Sequence, residues 1–264
     1  MKVKNIKIIS LKRETLRREN IQKNWINHQY DIVNAIDGFK LVNPRYKHEI
    51  ANLLDINVKC LSADWLLNRS NYKTMSSRLN FILPRFGLYL SWIKLLKTAI
   101  LENLDHVLIL ESDSIPKVNN IHELQLNIPD DDSIYYLGAS VQKQHAFNLN
   151  QINIEQYWKI NPKTLKIYGG FGILIPNKKK IIELYRVLKS VFLDGKSYDK
   201  HKDWNSGNVK LRCQAIDLFL LNHYQKNNQC YLKLPTVIDH PYINSSTIDN
   251  FIFGNVKKFE MEIV

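Results

Sequence analysis

Short β-rich apolar runs alternate with stretches of helical period along this chain. The runs "KIIS", "DIVNAID", "HVLILES" and "SIYYLGA" are dominated by isoleucine, valine, leucine and tyrosine, and each is short enough to be a strand. "RETLRRENIQKNW" follows the first run and reads as a helix. "GLYLSWIKLLKTAILENL" reads as a longer one, with Leu88, Trp92, Leu95, Leu96, Ala99 and Ile100 on one face. A third helix, "NKKKIIELYRVLKSVFL", has its start signal in Pro176 and Asn177 and Gly195 beyond its end. This alternation predicts an α/β fold, a mostly parallel central sheet flanked by helices. "VLIL" is apolar at every position, as in a central strand buried on both faces. Residues 40–83, 140–167 and 195–212 show no regular period and are read as irregular, and no repeat or low-complexity linker divides the chain.

Composition adds a charge to this picture. The 264 residues are 45% hydrophobic and 23% charged, and 37 Lys and Arg against 25 Asp and Glu give a net charge of +12. A basic chain favours an anionic partner: nucleotide diphosphates, nucleic acid and anionic lipid surfaces all qualify. Because the charge is spread rather than blocked, compositional bias towards lysine is the plain alternative. Cys60, Cys213 and Cys230 are widely spaced and fit neither a disulfide framework nor a zinc pattern, which points to a reducing compartment. "MKVKNIKIIS" lacks the apolar core of a signal peptide, and no apolar run reaches membrane-spanning length. A cytoplasmic location is expected, that of the host if the protein is viral.

The candidate chemistry begins where "HVLILESDSIP" leaves the apolar run. Glu111 and Asp113 are alternate residues, so in extended chain both side chains point to the same side. They stand at the carboxyl end of the strand, where open α/β sheets bind ligands. Two such carboxylates suit Mg²⁺ or Mn²⁺, which in turn can hold a diphosphate. They equally suit a polar turn in which Ser112 and Ser114 bond to the local backbone. "CYLKLPTVIDHPY" reads as a strand ending in Asp239 and His240, the imidazole being either a ligand of the same metal or a packing residue. "CQAIDLFLLNHY" puts Asp217 at the start of an apolar helix, as a general base or as an acid favoured by the helix dipole. Gly169, Gly170 and Gly172 of "YGGFGILIP" permit close approach of a ligand, or form bulges.

The order of these motifs resembles glycosyltransferase family 25, the lipopolysaccharide and collagen-type sugar transferases. The opening "IKIISLKRETLRRENIQKNW…YDIVNAIDGF" is similar to the family's first strand, arginine-bearing helix and Ala-x-Asp-Gly strand end. "FGLYLSWIKLLKTAILENLDHVLILESD" is similar to its Gly-x-x-x-Ser-His helix followed by a Leu-Glu-Asp-Asp metal motif, and "DSIYYLGA", "YGGFGILIP", "AIDLFL" and "LPTVIDH" follow in order. The resemblance implies one GT-A-like domain over residues 1–264, with donor binding in residues 1–140 and the acceptor side in 141–264. It implies a nucleotide diphosphate sugar as donor, a UDP-sugar first, bound through Mn²⁺ or Mg²⁺. Carried over by position, Ser10, Leu11, Arg13 and Arg17 or Arg18 meet the nucleotide, and Ala35 and Asp37 lie near its base or ribose. Gly87 and Ser91 match the helix motif. Glu111 and Asp113 match the metal acids, with His240 as a C-terminal ligand. Asp217 matches an aspartate near the acceptor and is the candidate base, with Asp37 or Asp239 as alternatives. Arg13, Arg17 and Lys94 are candidate phosphate partners.

Two positions depart from the pattern. Glu-Asp-Asp is here Glu111-Ser112-Asp113, so Ser112 contributes a hydroxyl or nothing, and Ser-His is Ser91-Trp92. The resemblance implies transfer with inversion to a lipopolysaccharide-type saccharide. A second reading is a transferase for hydroxymethylated bases in DNA, as in some phages, in which "NPRYKHEI", "NRSNYKTMSSRLN" and "GKSYDKHKDWNSGNVKLR" track the nucleic acid by charge and stacking. A third is an inactive transferase fold used as a basic binding module, for which the lost acid in "ESD" speaks.

Overall fold

The structure, a computed structural model, describes residues 1–61, 75–130, 132–141, 156–160, 167–190, 192, 216–227, 229–234 and 236–240. Two compact units emerge, each built from separated stretches: Met1–Ala35, Leu95–Arg186 and Asp217–Pro241 form the first, and Ile36–Lys94, Val187–Ile216 and Tyr242–Val264 the second.

The first unit holds the sheet. Its strands are β1 (Ile6–Ser10), β2 (Asp31–Asn34), β3 (Val107–Glu111), β5 (Ile134–Val141), β6 (Gln156–Lys159), β7 (Ile167–Ile175) and β8 (Cys230–Leu234), in the order β2-β1-β3-β7-β5-β8-β6. β1, β2, β3, β5 and β8 run one way, and β7 and β6 run against them. The mixed α/β fold with a mostly parallel sheet is therefore as expected, with β7 reversed between β3 and β5. β1 and the apolar part of β3 are buried throughout, because strands with neighbours on both edges and cover on both faces admit little but aliphatic side chains. Lys7 is the exception in β1: only 6% exposed, it is neutralised by Asp31 at 2.9 Å and Glu102 at 2.6 Å. Ile6, Ile8, Trp25, Leu108, Leu110, Tyr135 and Leu174 form the core beside β3. Each such side chain contributes roughly 1.5–3 kcal/mol by leaving water.

Helix α1 (Thr15–Asn24) follows β1 as the periodicity predicts. The stretch read as one C-terminal strand is two: β8, paired with β5 and β6, and the short β9 (Ile238–Asp239), which pairs antiparallel with β4 (Ile115–Pro116). Asp217 lies in the first turn of the short helix Ile216–Leu220, which continues as a π-helical turn over Leu221–Gln225.

In the second unit, part of the segment read as irregular is helical. Helix α2 (Pro44–Leu54) starts at Asn43, whose side chain accepts from the Tyr46 N–H, with Pro44 in the first turn. Helix α3 (Met75–Leu101) begins well before Gly87 and runs through Pro84; its residues as far as Lys94 belong to this unit. Trp92, Leu95, Leu96 and Ala99 are buried as the pattern predicts, whereas Leu88 and Ile100 are only half-buried and Tyr89, Leu90 and Ile93 are fully enclosed. Helix α4 (Lys178–Ser190), which belongs to the first unit as far as Arg186, begins where Asn177 accepts from the Lys180 N–H at 2.8 Å, the expected start signal. No helix among the described residues is long and apolar enough to cross a membrane.

Candidate functional site

The site is built at the carboxyl end of β3. Glu111 closes the strand, Ser112 and Asp113 make the turn, and Ser114 leads into β4. Pairing of β4 with β9, Ile115 opposite Asp239, delivers His240 to this turn. His240 Nε2 donates to Asp113 Oδ2 at 3.1 Å, and its ring packs on Phe171 with centroids 5.0 Å apart. From α1, Arg17 Nη1 donates to Ser112 Oγ at 3.1 Å and lies 3.5 Å from Asp113 Oδ2, while its Nε is 3.7 Å from Glu14. The two serine hydroxyls thus find partners distant in sequence, while the Ser114 N–H bonds locally, to the Glu111 carbonyl at 3.1 Å. Ser112 accepts from Arg17, and Ser114 Oγ donates to the Phe171 carbonyl at 2.5 Å, both distant in sequence. The Ser114 carbonyl in turn accepts the Trp25 indole N–H at 2.9 Å.

The two acids differ in their hold on a proton. Burial first, then the charge of Asp113 and that of Asp217, push the Glu111 carboxyl up to about 8, against the pull of His240 and Arg17. Burial also works against charge on Asp113, but the hydrogen bond and charge of His240, helped by Arg17, outweigh it and hold that carboxyl below its ordinary value. The physical pattern is one carboxylate held by an imidazole and a guanidinium, beside a buried neighbour whose surroundings favour its neutral form. The structure thus brings Glu111, Ser112, Asp113, Arg17 and His240 together, and the charge of Asp217 is felt at Glu111.

Asp113 Oδ1 is buried and has no hydrogen-bond partner among the described residues. An unmet buried carboxylate oxygen costs free energy unless a cation or donor meets it. Among the described residues no group of three or more His, Cys, Asp and Glu side chains is arranged to hold an ion alone. Mg²⁺ and Mn²⁺ commonly take one or two carboxylates and draw the rest of their oxygens from water and substrate phosphate. The Asp113 carboxylate, with Glu111 and His240 beside it, fits that mode.

The remaining candidates fall in several places. Ser10 is 1% exposed and its Oγ is buried without a hydrogen-bond partner among the described residues, while its carbonyl accepts from the Ala35 N–H at 2.8 Å. Arg18 is spent on the chain itself: it donates to the carbonyls of Ser10 and Leu11 and to Asn34 Oδ1 at 2.6 Å, tying the ends of β1 and β2. Arg13 is exposed. Gly169, with φ 77°, and Gly170 lie within β7.

In the second unit, Asp37 is buried and caps a 3₁₀ turn over Gly38–Val42 by accepting from the Phe39 N–H. Ser91 is fully buried, accepting from the Ile36 N–H at 2.7 Å and donating to the Gly87 carbonyl at 2.6 Å. Gly87 is there for contact: a methyl on it would lie 2.5 Å from the Ile36 carbonyl oxygen and 2.6 Å from the Gly38 nitrogen. Burial lowers the Lys94 ammonium pKa. Trp92, in the position of the family's histidine, is buried with its Nε1 lacking a hydrogen-bond partner. Of the basic aromatic segments, "NPRYKHEI" is the start of α2, while most of "NRSNYKTMSSRLN" and all of "GKSYDKHKDWNSGNVKLR" lie outside the described residues. Phe171 and Glu14 are site neighbours that the sequence did not mark, since nothing local in their vicinity distinguishes them, and Ser114 was marked only as a turn residue.

No curated protein matches the chain. A solved structure, a glycosyltransferase involved in the glycosylation of the major capsid of PBCV-1, is 12% identical, covering 94% of this chain and 96% of that one with a TM-score of 0.39. The family model described as glycosyltransferase family 25 (LPS biosynthesis protein) matches residues 3–169, from the start of the sheet through the Glu111–Asp113 turn and into β7. That match spans more than half of the chain, which therefore belongs to glycosyltransferase family 25 and is a glycosyltransferase.

Proposed function

We propose that this glycosyltransferase moves a sugar from a nucleotide diphosphate sugar, a UDP-sugar in the first instance, to a hydroxyl of a lipopolysaccharide-type saccharide, with a divalent cation and inversion at the anomeric carbon. The observation that carries the reading is the Asp113 carboxylate, with one oxygen held by His240 and Arg17 and the other buried and unmet. Asp113 would hold Mn²⁺ or Mg²⁺ with the diphosphate, joined by Glu111 as the cation displaces its proton and by His240, and the cation would supply charge neutralisation to the departing phosphate. Arg17 adds a charge-assisted donor at the same place. The bond from the anomeric carbon to the diphosphate oxygen breaks as the acceptor oxygen bonds to that carbon. The hydroxyl proton then passes to a base, for which Asp217 is the candidate because its charge is felt at Glu111. Ser10, with an unmet buried hydroxyl beside the end of β1, is the next candidate for a donor contact. The family's description as a lipopolysaccharide biosynthesis protein favours a saccharide acceptor over DNA.

The test is a panel of nucleotide sugars offered with oligosaccharides and with hydroxymethylcytosine DNA, products weighed by mass spectrometry with and without chelator. The reading expects a sugar added to a saccharide, dependent on Mn²⁺ or Mg²⁺. Transfer undiminished by chelator would end the metal part, and transfer to DNA alone would end the acceptor part.

A further inference from the structure

We propose that Gly138 and Gly172 form a seat for Ile238 that positions His240 on Asp113, so that these two glycines are positioning residues of the site; the functional half of this rests on the site proposed above. Both glycines lie on facing strands, Gly138 in β5 opposite Gly172 in β7. A methyl on Gly172 would lie 2.8 Å from Ile238 Cγ1, 3.0 Å from its Cβ and 3.2 Å from Cγ2. A methyl on Gly138 would meet the Ile238 carbonyl oxygen at 2.6 Å and its Cβ at 2.7 Å. The paired absence of side chains makes a slot in the sheet surface, and Ile238 fills it with 1% of its surface exposed.

The segment around Ile238 is fixed at both flanks. The Val237 N–H donates to the Leu137 carbonyl at 2.9 Å, and the Lys117 N–H donates to the Val237 carbonyl at 2.9 Å. Pro116 pairs with Ile238 and Ile115 with Asp239. His240 comes next, bonded to Asp113 and packed on Phe171, the residue before Gly172. A two-residue strand is weakly held by its own ladder. The depth at which Ile238 sits against the two glycines therefore sets where His240 stands, and a side chain at either position lifts the segment away from Asp113. Close packing transmits such a displacement because the interior has few voids to absorb it.

The geometry separates the two glycines in a test. At Gly172 the nearest atom is Ile238 Cγ1, so shortening that side chain removes the 2.8 Å and 3.2 Å contacts and leaves only Cβ at 3.0 Å, which a small shift accommodates. At Gly138 the nearest atoms are the Ile238 carbonyl and Cβ, which an alanine retains. The readouts are the His240 ring-proton shift in NMR, displaced by the Phe171 ring and assigned against His240→Ala, and Mn²⁺-dependent turnover of the donor sugar.

Gly172→Ala is expected to lose the displaced signal and to lower turnover by about 10–100-fold, the cost usual for groups that orient a metal ligand. Ile238→Ala alone leaves a void rather than a clash and is expected to weaken both readouts without preventing folding. Gly172→Ala with Ile238→Ala is expected to exceed either single variant in both. Gly138→Ala with Ile238→Ala is expected to recover neither. Wild-type signals in Ile238→Ala and in Gly172→Ala, or equal recovery at both glycines, would overturn the seat. If Gly172→Ala does not fold, Ile238→Ala and the double variant decide. Signals that follow this pattern while His240→Ala retains full turnover would uphold the seat and overturn the role of His240 in the site.

Discussion

Glu111 and Asp113 share a turn and hold their protons in opposite ways. Glu111 binds its proton more tightly in the folded protein than in the unfolded chain, up to about 8 against an ordinary 4.5. Its contribution to stability is thus full below the ordinary value and is lost as pH rises through that window. Thermal melts between pH 5 and pH 9 are expected to show the wild type losing stability over that range. Glu111→Gln, which keeps shape without a charge, should flatten the loss by about 1–3 kcal/mol at the alkaline end. Identical pH slopes in the two proteins would show that Glu111 is not desolvated as described. The pair itself was legible in the sequence because a strand end with alternate acids is a local pattern. What surrounds it was not: Arg17 reaches Ser112 across the fold, and the Ser114 hydroxyl turns to Phe171 rather than to its neighbours. Ser112, the departure from the family pattern, is an acceptor for Arg17, a partner that leaves no trace near "ESD".

At the scale of elements, the joint between Ile36 and α3 depends on one hydroxyl. Ser91 Oγ serves the Ile36 N–H and the Gly87 carbonyl with no exposure to water, while Gly38 and Gly87 bring the two backbones into contact. Ser91→Ala leaves the Ile36 N–H unmet and is expected to cost about 1–3 kcal/mol in urea unfolding. Full stability with a loss of donor binding would instead make Ser91 a ligand group. A second joint lies at Arg18. Arg18→Ala frees the carbonyls of Ser10 and Leu11 and the Asn34 amide oxygen and is expected to lower stability by about 1–2 kcal/mol, whereas Arg17→Ala should act mainly on donor binding. Comparable stability losses in both variants, with donor binding intact, would erase this division of labour. The family motif could not separate the adjacent arginines, since only the turn of α1 decides which faces Asp113. Helix α2 was missed although Asn43 and Pro44 form a start signal, because its apolar positions, Ile50, Ala51, Leu53 and Leu54, crowd into its second half rather than repeat along it. The start of α3 was missed because Pro84 reads as a break.

Across the whole molecule, the sequence pattern carried the α/β class and the mostly parallel sheet, since strands and helices alternate in period. The reversal of β7 between β3 and β5 was not legible, because a buried strand reads the same in either direction. Nor was the separation of β8 from β9, which depends on partners far off in sequence. That separation matters most for the proposed site, since it brings His240 to Asp113. The net charge of +12 gives the molecule a long-range preference for anions. With a phosphorylated saccharide acceptor, KM is expected to rise as NaCl increases from 50 to 300 mM, while kcat stays nearly constant. A KM indifferent to salt would make the charge incidental. The central claim is that the Asp113 carboxylate anchors a cation shared with the donor diphosphate. It is tested most directly by calorimetric titration of Mn²⁺ into the protein with UDP present, comparing the wild type with Asp113→Asn. The account predicts one site in the wild type, tightened by UDP, and its loss in Asp113→Asn with the fold intact by circular dichroism; equal Mn²⁺ affinity in the two proteins would contradict it.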